Sequence, residues 1–352
     1  MPVFLVGRAT PGYDASVLQE KAIMHRMDES SDSPAAQDSA TLRLHDVDEL
    51  NHAVSGSDLE LMQLKPGKLE ATLRQVTLAD FSIDQSIVNQ PVRVRGRLDS
   101  QRYCIGLIPQ HSRATWSGIP VNKSRLLFFR RGAELNGHVS ANYNSTSLVV
   151  PPHWIESIEQ NVQQSGAFEF GCDFAPVRPD PLRHADLWRA ARAIFMPAPP
   201  ASNVIDRERW LLADIRNCLG AALITLDTAP QKSCYQALAH FSFARRAEAY
   251  MRERISEPVS IDELCVALHV SRRYLEYAFS GAFGTSPSRY LRLLRLNEVR
   301  RRLQTPGAAT TVTGEASNFG FSHLSQFAVQ YKQLFGQSPS ATLADARDTN
   351  PE

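Results

Sequence analysis

Two guanidiniums, a carboxylate, a phenol and a hydroxyl lie within nine residues of the stretch LHVSRRYLEYAFS, as Arg272, Arg273, Glu276, Tyr277 and Ser280. These groups recognise by hydrogen bonding and charge. A guanidinium forks onto two acceptors at once, the arrangement offered by a phosphate or by the edge of a purine. At helical spacing, all five side chains lie away from Leu275, Ala278, Phe279, Ala282 and Phe283, which form an apolar stripe.

The flanking residues supply the elements that such a display needs. Ser260, Ile261, Asp262 and Glu263 read as a capping box, in which the serine hydroxyl takes the Glu263 N–H and the glutamate reaches back. Ile261, Leu264, Cys265 and Leu268 recur at three- and four-residue spacing, so a short helix runs to about His269-Val270 before Ser271 caps the next. The pattern is helix, tight turn, helix. A second helix of this kind fits the major groove of DNA with its first turns against base edges.

An arginine pair on a helix is more often a solvated face, and two further features outweigh that reading. The next segment, SPSRYLRLLRLNEVRRRL, carries six arginines against one glutamate. Beyond it, VTGEASNFGFSHLSQFAVQYKQLFG repeats the pattern, with Gly320-Phe321 at the turn, Ser322 as the cap and Phe327, Tyr331, Leu334 and Phe335 on one face. A connecting helix over 288–303 is about 24 Å long at 1.5 Å per residue. With the width of each unit added, that suits successive major-groove faces about 34 Å apart.

These three segments, SIDELCVALHVSRRYLEYAF among them, resemble the DNA-binding domain of the AraC/XylS family of bacterial transcription regulators over about 100 residues. The resemblance implies base-facing roles for Arg273, Glu276 and Tyr277, with Ser280 on the same face and Arg272 on the neighbouring phosphate. In the second unit it implies roles for His323, Leu324, Ser325, Ala328 and Val329. It further implies double-stranded promoter DNA, RNA polymerase and a small-molecule effector as partners, homodimerisation, and no cofactor for DNA binding itself. HVSRR, R-L-N-x-V-R-R and H-L-x-Q-F-A are most similar to the ethanolamine-utilisation branch, which by resemblance alone names ethanolamine and a cobalamin as effectors. Two positions depart from the pattern. Gly314 lies in the first helix of the second unit, where glycine costs roughly 1 kcal/mol relative to alanine, and Glu315 stands where the family is usually apolar. Leu324, Ala328 and Val329 can touch thymine methyls but make no bidentate bonds, so discrimination is expected mainly from the first unit.

The rest of the chain sets the frame. Its 352 residues suffice for two domains, and with 43% hydrophobic and 21% charged residues it reads as globular. The net charge of +1 hides an asymmetry, because residues 240–340 hold thirteen Lys and Arg against eight Asp and Glu. That is the footprint of a surface that meets phosphate. Residues 1–44 read as a loose leader: DESSDSPAAQDSAT is polar and lacks aromatics, and MPVFLV is too short for a secretory segment. With no transmembrane stretch, the expected location is the cytoplasm. Short apolar runs at KLEATLRQVTL, VRVRGRLD, YCIGLIPQ, RLLFFRRG and SLVVPP predict a β-rich domain over 45–180. Helical periodicity takes over in a connector or dimerisation region over 181–232 and continues through the DNA-binding domain over 233–347. The fold class is α+β, with a jelly-roll-like (cupin-like) sensor, by resemblance, ahead of an all-α domain of two helix-turn-helix units joined by a linker helix.

The rival reading is a cupin-like binding protein or enzyme with an incidental helical tail. A metal-dependent cupin needs clustered ligands, whereas His111, His138 and His153 stand alone. Neither G-x-S-x-G, a P-loop nor G-x-G-x-x-G occurs, and Cys104, Cys172, Cys218, Cys234 and Cys265 form no C-x-x-C pair. No catalytic or metal site is therefore assigned, and the cysteines read as free thiols. Trp116 and Arg130 are the candidates for effector contact, set against core packing for Trp116 and a solvated strand end for Arg130; Trp154 reads the same way as Trp116.

Overall fold

Alternating apolar residues need two layers to hide between, and the chain supplies them as two antiparallel sheets. The computed structural model describes residues 38–45, 47–53, 58–109, 111–121, 125–161, 173–197, 204–225 and 232–349. The first strand, β1 (Asp38–Leu44), and α1 (Val47–Ala53) precede β2 (Asp58–Gln63), β3 (Ala71–Leu78), β4 (Phe81–Val88), β5 (Val92–Arg97) and β6 (Tyr103–Leu107). Then come β7 (Ala114–Trp116), β8 (Ile119–Val121), β9 (Leu126–Phe129), β10 (Glu134–Val139), β11 (Tyr143–Val150), α2 (Pro152–Asn161) and β12 (Phe174–Val177). Among the described residues, one sheet runs β1-β3-β4-β11-β6-β9-β12 and the other β2-β5-β10-β7-β8. Pairing β4 with β11 and β5 with β10 requires long crossovers, in keeping with the jelly-roll-like expectation. The strands read from the sequence all form. Residues 38–44, assigned there to the leader, instead make β1, whose Leu42 and Leu44 pack into the interior. The rest of that leader, 1–37, lies outside the described residues.

The strand period of two sorts the side chains. Leu73, Val88, Leu127 and Tyr143 of the larger sheet meet Val92, Val94, Trp116 and Leu135 of the smaller one in a shared core. The outer face of the larger sheet, with Phe81, Ile83, Ile105, Phe128 and Leu148, is covered by α2, α3 (Pro181–Ile194) and α4 (Val204–Ile224). The helices of 181–232 are therefore a packed layer of this domain, with Leu187, Ile194, Leu211, Ile215 and Leu219 in its core. Asp180 caps α3, accepting from the N–H groups of Leu182 and Arg183.

The outer face of the smaller sheet carries Met62, Arg93, Asn136 and His138, and onto it the carboxyl-terminal helices pack. These are α5 (Lys232–Glu253), α6 (Ile261–Ala267), α7 (Arg272–Phe283), α8 (Pro287–Gln304), α9 (Val312–Asn318), α10 (Leu324–Phe335) and α11 (Pro339–Thr349). Phe241, Leu264, Leu275, Phe279, Phe283, Tyr290, Leu294, Phe327 and Tyr331 form their common core.

Candidate DNA-binding surface

Each unit is built as its sequence demands, with one exception in its caps. Ser260 Oγ accepts from Glu263 N at 3.0 Å and Ser271 Oγ from Tyr274 N at 3.2 Å. The turn between them passes through His269 at φ +54°, and α7 ends at Gly284 in the left-handed region at φ +67°. Glu263 does not close the box as expected; its carboxylate takes the Tyr250 hydroxyl at 3.0 Å. In the second unit Thr311 caps α9 through Gly314 N at 3.1 Å, so Gly314 sits in the first turn beneath the capping hydroxyl. The cap of α10 is His323, not Ser322, and it makes no side-chain capping bond.

The α7 stripe Leu275, Ala278, Phe279, Ala282 and Phe283 is wholly buried, which turns Arg272, Arg273, Glu276, Tyr277 and Ser280 into solvent. Arg272 is held at 3.3 Å by Glu276 and at 3.7 Å by Asp262. Arg273 has no hydrogen-bond or ion-pair partner among the described residues, leaving its fork open. Tyr277 is 63% exposed, with its ring edge-on to His240 at 5.0 Å. On α10, Leu324, Ser325 and Val329 are exposed together with His323, whereas Ala328 is half-buried and leans on the core.

The six arginines of α8 divide by partner. Arg300 is buried with its guanidinium over the Phe335 ring, and Arg295 donates to the Ile255 and Glu257 carbonyls, tying α8 to the end of α5. Arg301 and Arg302 pair with Glu298. Arg289 and Arg292 remain exposed without a partner among the described residues.

Residues 264–345 match the helix-turn-helix domain family. This stretch is a helix-turn-helix domain, similar to those of known operon regulators. Among its relatives are a probable thc operon regulatory protein from Rhodococcus erythropolis, 35% identical over 28% of this chain and 30% of that protein, and the XylDLEGF operon transcriptional activator of Pseudomonas putida, 32% identical over 29% and 32%. A solved AraC-type transcriptional regulator from Chromobacterium violaceum is 31% identical, covers 31% of this chain and 96% of its own, and has a TM-score of 0.29. The chain thus spans about a third of the length of the curated relatives it matches.

The effector candidates separate. Trp116 is buried in the sandwich core, edge-on to Phe129 at 5.8 Å, and Trp154 stacks on Phe81 at 5.2 Å beneath α2. Arg130 is exposed at the end of β9 and pairs with Asp173 at 3.4 Å, a surface position that removes it from the sandwich interior. The lone histidines scatter as well: His153 is exposed beside Asp80 at 3.7 Å, and His138 faces the helical domain. Among the described residues no cluster of three metal-ligating side chains occurs. Cys104, Cys218 and Cys265 are free thiols, while Cys172 and the Cys234 side chain lie outside what is described.

Apart from His138, the polar residues that join sandwich and DNA-binding domain, Arg93, Glu248 and Tyr290, are not among those given a role from the sequence. Arg93 on β5, 1% exposed, donates to the Gly137 carbonyl at 2.9 Å, to Glu248 on α5 at 2.9 Å and to Asn136, and its guanidinium lies over the Phe283 ring. Tyr290 on α8 donates to the other oxygen of Glu248. Burial alone would raise the Glu248 carboxyl, but the charges of Arg93 and Arg252 and the Tyr290 hydroxyl outweigh it and hold the group below its ordinary value. A signal for Glu248 exists: Phe241, Ala244, Glu248 and Met251 fall at helical spacing, placing an acid inside an apolar stripe.

Proposed function

We propose that this chain is an effector-responsive transcription regulator that binds promoter DNA through α7 and α10 and activates a catabolic operon. The supporting observation is the exposed, capped face of α7, where Arg273 and Tyr277 face solvent above a buried stripe. Relatives of the domain are named as operon activators and regulators, which supports activation and contact with RNA polymerase. The effector enters the β-rich domain, and self-association uses 181–232, where Ile205 and Trp210 remain exposed. Resemblance narrows the pathway to ethanolamine utilisation, with ethanolamine and a cobalamin as effectors. Among the described residues no helix is long and apolar enough to cross a membrane.

Genome-wide mapping of sites bound by the tagged protein tests this. Discrete sites upstream of an operon, with ethanolamine genes beside the strongest, are expected. Binding spread without site preference would contradict regulation, and another operon would contradict only the pathway. Affinity for duplex DNA should also fall steeply with salt as counterions are released, which separates a regulator from a small-molecule-binding protein or enzyme.

A further inference from the structure

The last four carbonyls of a helix have no partner within it and must find donors elsewhere. In both reading helices some of those donors come from the β-sandwich. At the end of α7, His138 Nδ1 on β10 donates to Ala282 O at 2.9 Å. At the end of α10, Gly67 N in the β2–β3 loop donates to Gln333 O at 2.9 Å, and Gln63 Nε2 donates to Leu334 O at 2.8 Å. Both helices are therefore held at the same end, away from the first turns that carry Arg273 and Ser325.

The seat of each is shaped for the contact. Gly284, at φ +67°, has His138 so close that a Cβ there would lie 3.0 Å from Nε2, and Phe283 carries the Arg93 guanidinium at 4.5 Å. Gln63 is almost wholly buried, and the two N–H groups of its amide are shared among Lys65 O, Gly67 O and Leu334 O, which holds the amide between its own loop and α10. Beyond α8, the sandwich is thus a second, independent connection between the two units.

We propose that the sandwich is a bracket that sets the spacing and tilt of the two reading helices, with Gln63 and His138 as its positioning residues. This rests on the DNA-binding reading and concerns how both units engage one duplex together. A bracket makes the second contact intramolecular and pre-oriented, so loosening it lowers the gain from the second half-site and leaves the first contact intact.

The test uses the full chain and a duplex recovered by in vitro selection with the wild type, next to the same duplex truncated after the first half-site. The ratio of the two affinities is the gain. Gln63→Met, which keeps volume and removes the donor, is expected to lower the gain by about fivefold or more, the scale of one lost buried hydrogen bond, with the truncated-duplex affinity within about twofold of wild type. His138→Phe, which frees the α7 end, should lower the gain in the same way. An unchanged or larger gain in both variants, or equal losses on the two duplexes, would overturn the bracket. Selection that enriches no duplex with the wild type would instead overturn the DNA-binding reading.

Discussion

Arg93 of the sandwich and Glu248 of α5 meet at 2.9 Å with side chains 1% and 4% exposed, so the joint between the domains is an ion pair cut off from water. Removing one member leaves the other charged and buried, which typically costs about 3–5 kcal/mol, whereas replacing both with apolar groups is often neutral. Glu248→Leu is therefore expected to lower the unfolding free energy by roughly that amount, and Arg93→Met with Glu248→Leu to recover most of it. Denaturant unfolding of the four-member cycle measures the coupling.

His138 adds a pH dependence with a defined sign. Burial, aided by the Arg93 charge, pushes its pKa below the ordinary value against the pull of the Ala282 carbonyl. The unfolded chain then takes up the proton more readily than the folded one. The contribution of this neutral imidazole is complete above its unfolded value near 6.5 and is lost as pH falls below it. Unfolding free energies of wild type and His138→Phe, measured from pH 8 to 5, should converge toward the acid end.

Asp84 carries the opposite sign. It lies at the middle of the larger sheet, opposite Gln75 on β3 and Ser147 on β11, and burial raises its carboxyl from 3.8 to about 6 despite the Gln75 hydrogen bond and Arg102. A raised acid stabilises the fold only while protonated, an advantage lost as pH rises through about 6. Asp84→Asn should therefore stabilise the protein by about 2 kcal/mol at pH 8 and by little at pH 4 in thermal unfolding.

Gly137 lies between the sandwich core and the joint. A Cβ there would come within 2.3 Å of Thr115 O and 2.6 Å of the Trp116 ring, while its own carbonyl holds Arg93. Gly137→Ala is expected to destabilise by about 1–3 kcal/mol through overpacking. Because the strain falls on Trp116 and Arg93, intrinsic tryptophan fluorescence should shift with it.

Local periodicity made the reading units legible. The stripe of α7, the Ser260 and Ser271 caps and the existence of α3 to α10 follow from spacing within a few turns, and β3, β5, β6, β9 and β11 from apolar runs between turn formers. What escaped depends on partners far along the chain. In VRVRGR nothing marks Arg93 apart from Arg95 and Arg97, because its burial is decided by Glu248, 155 residues away. The strand β4, FSIDQSIV, carries serines and an aspartate on its inward face, which mutes the alternation that reveals a strand. The strand β1 was hidden by composition, as its Asp, Ser and Thr resemble the polar leader before it. On α8 the arginine count was visible, but the division into packed, paired and free side chains was not.

The central claim is that α7 reads sequence through an open Arg273 while α10 offers a mainly apolar face. Gel-shift titration at one fixed salt concentration, with the selected duplex and a duplex of unrelated sequence, compares Arg273→Ala with Val329→Ala. A bidentate arginine contact is worth about 1–3 kcal/mol, so Arg273→Ala should lose roughly five- to 150-fold in specific affinity and Val329→Ala much less. The reverse order, or equal losses on both duplexes for Arg273→Ala, would contradict it.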